Sequence, residues 1–535
     1  MRLHQLCLLL CLFSVCLTGC RESREIEQQG VIYCVDTSLR ELNPQLYDSS
    51  PIGSALSNQL YDRLITIDPV SQRFEGQLAR KWSISRDGLR YTFYLQKGVS
   101  FHTTPWFTPT RPLNADDVVF SFTRILDPDS PFHSISGGQY PFFDSLRFNA
   151  QISAINKLDN ETIEFVLKKP NAAFLATIAS DAAVILSAEY GDLLLSKNQP
   201  EQLDRQVIGT GPYLLAEPYN GEFIRMHANP GYWGGSPSVQ RLVFDYTPKP
   251  TNRLAKLLTG ECQIMAAPAA AQLSFIKNNP QLTLEQTNTP NTAYLAINTQ
   301  RDTFSDVHIR QAVSSAINRE QIISAVYYDT GESTNTLLPP DSWAYNPNLP
   351  EIQYDPISTK TRLNNASSAA IRMELLVPTS TQTYNPNPVK LAQLLQADLS
   401  QIGISVKIVP LNNYWLRKRV MTNNYDAILT GWSAATTDPD SFLRPILSCN
   451  VQVESNVNHA RWCNRQFEQL LDRAINTNNM AQRINAYQEA QQLLADELPL
   501  IPIARAVNIY ATRTSLHNVG HTLMGGLIFK QAYRD

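Results

Sequence analysis

Hydrophobic positions along this chain recur with two different spacings, and the spacing switches repeatedly from end to end. Gly30–Val35 is a short, nearly continuous apolar run of the kind that fills a buried strand. Arg90–Leu95 is rich in aromatic and β-branched residues, and Asp87-Gly88 just before it is a hairpin turn signal. Asn114-Ala115-Asp116-Asp117, followed by Val118, Val119, Phe120 and Phe122, predicts a helix capped by Asn114 with acids in its first turn. Residues 389–402 place Leu391, Leu394, Leu395 and Leu399 on one stripe. Gly403 ends that predicted helix and a strand-like run over 404–410 follows it. Another helix is predicted over Met480–Glu497. This alternation predicts a mixed α/β protein of more than one lobe.

The first twenty residues follow a different rule. Arg2 supplies a positive start, and 6–15 is apolar but shorter than the about 20 residues a membrane span needs. Leu17-Thr18-Gly19-Cys20 then places small residues before a cysteine, the pattern a lipoprotein signal peptidase reads. The expectation is a signal peptide over 1–19, an acylated Cys20 and a polar tether over 20–29; ordinary cleavage nearby is the alternative. Either way the chain leaves the cytoplasm. No later stretch approaches spanning length, since 493–503 is broken by Asp496, Glu497, Pro499 and Pro502.

The 535 residues are too many for one hydrophobic core, so two or three domains are expected. A formal charge of −3, or −4 without Arg2, gives no basis for nucleic-acid binding. Of eight cysteines, Cys7, Cys11 and Cys16 fall in the leader and Cys20 at the cleavage site. That leaves Cys34, Cys262, Cys449 and Cys463, an even set that reads as two disulfides in an oxidising compartment. Three pairings are open, and Cys34–Cys262 with Cys449–Cys463 is favoured. The second closes a short loop worth about 3 kcal/mol in the chain-entropy view. A metal site is disfavoured, because no Cys-x-x-Cys pair exists and no histidine is spaced to complete one.

Enzyme motifs are missing as well. There is no Gly-x-Ser-x-Gly elbow, no His-Glu-x-x-His helix and no phosphate-binding glycine loop. Gly209-Thr210-Gly211 runs into Pro212, which forbids a dinucleotide turn. His517 and His521 stand four apart among Asn, Gly and Thr, which reads as a solvated loop. No enzyme and no cofactor is expected.

Several segments nevertheless resemble the extracytoplasmic solute-binding proteins of oligopeptide and dipeptide ABC importers, family 5. They include Leu78-Ala79-x-x-Trp82, Asp87-Gly88-x-x-Tyr91-Thr92-Phe93 and Gly98-Val99-x-Phe101-His102. Asn114-Ala115-Asp116-Asp117 through Arg124, Gly209-Thr210-Gly211-Pro212-Tyr213, and Tyr294-Leu295-Ala296-x-Asn298-Thr299 follow in the family's order. Asp306-x-x-x-Arg310-Gln311-Ala312, Pro339-Pro340, Tyr425-Asp426 and Gly431-Trp432 complete the series. Two stretches, 101–111 and 257–262, look closer to the SapA branch, as do 438–449 and 459–463. That branch is associated with tolerance of antimicrobial peptides and with uptake of peptides or haem.

The resemblance implies an α/β fold, a two-lobed periplasmic-binding-protein clamp (class II, cluster C) with an extra domain on lobe one. Lobe one would take 26–67, 207–287 and 506–535, the extra domain 68–206, and lobe two 288–505. The family's cysteine pattern agrees with the favoured pairing. The implied function is capture of a peptide or peptide-like ligand in the periplasm of a Gram-negative bacterium, and delivery to an inner-membrane ABC permease. The implied protein is a membrane-tethered lipoprotein and a monomer. An extended peptide would pair its backbone with strand edges, and the lobes would close over it by hinge motion.

The implied binding residues are Gly431, Trp432 and Ser433, with Tyr414 and Trp415 as cleft aromatics. The loop 39–43 would line the cleft from lobe one, and Arg417, Lys418 and Arg419 could meet a ligand carboxylate. One departure stands out. Peptide-binding relatives place an aspartate three residues after the tryptophan to pair with the ligand's α-amino group, and here that position is Ala435. Burying an ammonium without a partner costs several kcal/mol. Either Asp438 or Asp440 substitutes, or the ligand lacks a free amine there (a long peptide, a haem or another small molecule), or the site is degenerate; the second is favoured. The alternatives in function are a haem or small-molecule binder on the same scaffold and an envelope hydrolase.

Overall fold

Side-chain alternation and turn chemistry assemble three large sheets, with three two-stranded ones beside them among the described residues. The computed structural model describes residues 30–535 except 39–41, 47–49, 220, 222, 367–369 and 450–456. The leader, Cys20 and the tether therefore lie outside the described residues, as does most of the loop 39–43. Among the described residues no helix is long and apolar enough to cross a membrane.

The first sheet runs, in spatial order, Leu282–Asn288, Val507–Arg513, Ile264–Ala266, Gly30–Val35, Arg241–Tyr246, Phe223–Ala228 and Tyr213–Leu215. The second runs Glu332–Ser333, Leu500–Arg505, Asn291–Ile297, Ala427–Ser433, Ile371–Pro378 and Ile404–Leu411. All seven residues of its strand Asn291–Ile297 are buried, as expected where helices cover both faces. The third sheet joins Ala79–Ile84, Arg90–Leu95, Thr162–Leu167 and Ile152–Asp159. There Tyr91, Phe93 and Leu95 alternate inward and pack with Ile163, Phe165 and Leu167. Each of the first two sheets, wrapped by its helices, makes one lobe.

The chain passes between the first two sheets through two adjacent crossings. Leu282–Asn288 continues through Thr289-Pro290 into Asn291–Ile297, and Leu500–Arg505 continues through Ala506 into Val507–Arg513. The buried Asn291 amide ties them together. It donates to the Ala506 carbonyl at 2.8 Å and to Thr289 Oγ1 at 2.7 Å, and accepts from the Ala506 N–H at 3.0 Å.

Local signals explain the elements around this frame. Ala115–Leu126 starts with a reciprocal capping box between Asn114 and Asp117, and Arg111 holds the same Asp117 carboxylate. Further along, the guanidinium of Arg124 forks onto Asp204 through two contacts of 2.7 Å, with both side chains buried. Gly209 lies so close to the helix Pro51–Leu60 that a Cβ would stand 1.9 Å from the Leu60 carbonyl. The helix over Met480–Glu497 matches the expected span, and Pro388–Gln401 matches the expected amphipathic helix to within a residue. Gly403 takes the left-handed backbone at φ 86° that ends it.

His517 and His521 depart from the expected solvated loop. Each sits on a two-residue strand, His517 beside Asp535 at 2.8 Å and His521 beside Glu285 at 3.2 Å. Their spacing in sequence carries no meaning, because their partners come from distant segments. Cys34 with Cys262 and Cys449 with Cys463 are placed as disulfide partners, with Cα–Cα separations of 6.0 and 4.7 Å.

Candidate functional site

Strand direction decides where a cleft forms. Gly30–Val35 is parallel to Arg241–Tyr246 and to Ile264–Ala266, so their carboxyl ends share one edge. In the second sheet Ile371–Pro378 is parallel to Ile404–Leu411 and to Ala427–Ser433, with the same result. Loops at carboxyl ends of parallel strands are where open α/β sheets build binding sites. Here both sets line one cavity of about 660 Å³ between the lobes.

Lobe one contributes Tyr33, Asp36 and the 266–270 turn, and lobe two contributes Thr381–Thr383, Ser433 and Ala434. Both crossings also reach it, through Pro290, Ala506 and Asn508. A volume of several hundred Å³ suits a short peptide or a drug-sized ligand.

The strand Ala427–Ser433 reaches the cavity at its carboxyl end, through Ser433. Its neighbour Ile371–Pro378 pairs with it only at Ala427 and Ile428, and then diverges. The loop 379–387 covers part of the gap. Gly431 is required there: a Cβ would meet the Tyr384 ring at 2.3 Å and the Thr292 carbonyl at 2.6 Å. Thr383 and Ser433 pair their hydroxyls at 3.2 Å, and the Tyr327 hydroxyl donates to the Tyr384 carbonyl at 2.8 Å. Burial raises the pKa of Tyr384, which keeps its phenol neutral.

The other expected site residues separate. Ser433 lines the cleft, whereas the indole of Trp432 donates to the Ser441 carbonyl at 3.0 Å and packs on the lobe-two core. Its ring also borders a second cavity of about 640 Å³ between 144–177 and 436–476. Ala435 packs toward the core of lobe one and faces a smaller pocket beside Arg63, Asp181 and Glu75.

Asp438 is buried and fully engaged within lobe two. One oxygen takes Arg483 Nη2 at 2.6 Å, and the other accepts the Asp440 N–H at 3.1 Å and the Tyr487 hydroxyl at 3.3 Å. Asp440 in turn is held by Arg444 Nε at 2.9 and 3.0 Å. Neither carboxylate is left over for a ligand amine. Tyr414 and Trp415 stand on the helix Asn413–Met421, 60% and 53% exposed, with Lys418 over both rings. They lie outside the described lining of the cleft, on a helix whose Leu416 and Val420 pack against Leu376, Val409 and Ile428 of the sheet.

Sequence reasoning passed over the lobe-one wall. Asp36 follows the buried strand Gly30–Val35 directly, and a charge at the carboxyl end of a parallel strand is the signal that could have found it. Tyr33 was hidden inside an apolar run that reads only as core.

Residues 73–453 match the family described as bacterial extracellular solute-binding proteins, family 5 Middle. The chain belongs to that family. Within it, the peptide transport periplasmic protein SapA of Salmonella typhimurium is 41% identical over 96% of this chain and 93% of its own length. The dipeptide-binding protein of Pseudoalteromonas sp. SM9913, solved with Met-Leu, is 38% identical, with TM-score 0.79 over 95% of this chain and all of its own. HbpA2 of Haemophilus parasuis is 33% identical with TM-score 0.89, over the same shares. Family 5 members act outside the cytoplasm as transport binders, and the two-lobed clamp found here is their architecture.

Proposed function

We propose that this protein captures peptides in the periplasm and hands them to an inner-membrane ABC permease, as a SapA-like binding component. One observation carries the reading: a cavity between two lobes, reached at Ser433 by a strand whose flank toward Ile371–Pro378 is unpaired beyond Ile428. A peptide backbone laid along that flank would pair irrespective of its side chains, and the lobes would close over it.

Further parts belong to the same proposal. Cys20 carries the lipid that tethers the body, both cysteine pairs are oxidised, and the protein is a monomer. Lobe one comprises 26–67, 207–287 and 506–535, the extra domain 68–206 and lobe two 288–505; the memberships of the three sheets support this division. Gly431 and Ser433 contact the ligand, and Ala435 leaves the usual amine position empty of charge. The cargo includes antimicrobial peptides, and no catalytic step is part of the role. Histidine and cysteine are absent from the described residues lining the cleft, where tyrosines and Met524 are the only haem-ligand types.

Native mass spectrometry of protein purified gently from the envelope tests this. A ladder of co-purified peptide masses is expected. A single non-peptide mass would overturn the peptide reading, and turnover of added peptides would overturn the non-catalytic one.

A further inference from the structure

Ala435 lies outside the lining of the inter-lobe cavity, and that lining holds one formal charge, on its lobe-one wall. Among the described residues lining the inter-lobe cavity, Asp36 is the only acid, and no lysine, arginine or histidine accompanies it. Asp36 is half-buried at the end of Gly30–Val35, and it makes no hydrogen bond or ion pair with another described residue. Arg253, which interacts with it electrostatically, is buried and spends its donors on the carbonyls of Thr247, Pro248, Ala266 and Ala267 at 2.8–3.0 Å.

A second polar group waits beside it. Tyr33 is fully buried, lines the same cavity, and among the described residues its hydroxyl has no partner in full hydrogen-bond geometry, with Tyr510 as its polar neighbour. The neighbouring Tyr510 gives its proton to the Gly525 carbonyl instead. A buried hydroxyl without a partner is uncommon in folded proteins and costs about 1–3 kcal/mol. Burial, Tyr510 and Asp36, in that order, raise the pKa of Tyr33, so its phenol stays neutral and can accept a hydrogen bond. The helices Pro51–Leu60 and Ala270–Asn278 also border the cavity with their first turns, but offer a ligand only partial positive charge. A formal anion would find no full counter-charge among these residues. A cation would.

The geometry points to Asp36, with the Tyr33 hydroxyl beside it, as the anchor for a primary ammonium group on the peptide, placed on lobe one instead of lobe two. The inference rests on the peptide reading above and adds a ligand class to it: peptide segments carrying an α-amine or a lysine side chain. Asp36 would make the charge-assisted contact, and Tyr33 would accept a second hydrogen bond from the same nitrogen.

Calorimetric titration of wild type and Asp36→Asn with three pentapeptides of one apolar sequence tests it. One has a free amine, one is N-acetylated with a central lysine, and one is N-acetylated and neutral; all are amidated. Loss of a charged hydrogen bond in a secluded site is worth about ten- to hundredfold in Kd. Asp36→Asn is expected to weaken one or both ammonium peptides by that factor while the neutral peptide shifts less than twofold. Whichever ammonium peptide loses affinity identifies the source of the charge, and Asp36→Glu should recover part of it. An equal shift for all three, or none, overturns the assignment of Asp36 and leaves the peptide reading intact. Failure of wild type to bind any of the three would overturn both. Asparagine matches aspartate in shape, and an unchanged near-ultraviolet circular dichroism spectrum confirms that the variant is folded.

Discussion

Asp438 can be a ligand anchor or a structural carboxylate, and Asp438→Asn separates the two. The substitution keeps shape and one acceptor but removes the charge facing Arg483, whose side chain is 6% exposed and cannot regain water. Breaking one partner of a buried ion pair costs about 3–5 kcal/mol. Here the loss is cushioned, because Arg483 keeps its Nε bond to the Ala474 carbonyl and lies 4.9 Å from the Trp343 ring centroid. Such a ring is worth about 1–2 kcal/mol to a desolvated cation, which leaves a net cost of about 1–4 kcal/mol. Urea unfolding followed by tryptophan fluorescence should show the lobe-two transition moving to lower denaturant, while peptide affinity at low denaturant stays within threefold. Asp438→Asn with Arg483→Met should recover at least half of the loss, since no charge is then buried alone. An unfolding midpoint equal to wild type, together with a tenfold loss of peptide affinity, would refute the structural assignment.

Four further outcomes are expected. Gly431→Ala should lower the melting temperature and weaken peptide binding, with only partial relief from Tyr384→Ala, because the Thr292 carbonyl also stands in the way. Ala435→Asp should leave affinity for short free-amine peptides within threefold in calorimetry, because Ala435 faces the pocket beside Arg63 and Asp181; a tenfold gain would place it at the ligand. Thiol titration of the unfolded, unreduced mature body should find no free cysteine, and two or more reactive thiols would refute the pairing. Burial drives the His102 pKa from 6.5 to about 4, so the unfolded chain takes up its proton first and this stabilisation is lost as pH falls from 6.5 toward 4. Asp62, raised by burial to about 6, acts in the opposite direction between about 4 and 6, whereas His459, lowered to about 4 by burial and Arg461, acts with His102. His102→Gln should therefore become relatively more acid-tolerant, by about 1.4 kcal/mol per pH unit, in urea midpoints at pH 5 and 6.

Elements that satisfy themselves locally were legible in the sequence. Asn114 and Asp117 announce the start of Ala115–Leu126 because both capping partners lie within four residues. Arg90–Leu95 declares its buried face through alternation alone. The site was legible only in part, since Ser433 lines the cleft whereas the adjacent Trp432 turns into its own lobe. Asp36 and Asn508 meet across the cavity from segments more than four hundred residues apart, and no local period records such a meeting. Tyr414 and Trp415 show the converse. Two adjacent aromatics suggest a wall, yet Lys418 one turn later covers both rings and makes them a surface cluster.

The Asn291 side chain imitates a strand's backbone against Ala506, and this constrains how the molecule can bend. Two separate ribbons between two bodies would permit twisting and shearing as well as swinging. Riveted at one shared point, they flex only as a pair, much as two leaves of a door share one pin. An observer on the membrane side would then meet few intermediate shapes, and could tell a loaded molecule from an empty one by outline alone, without inspecting what it holds.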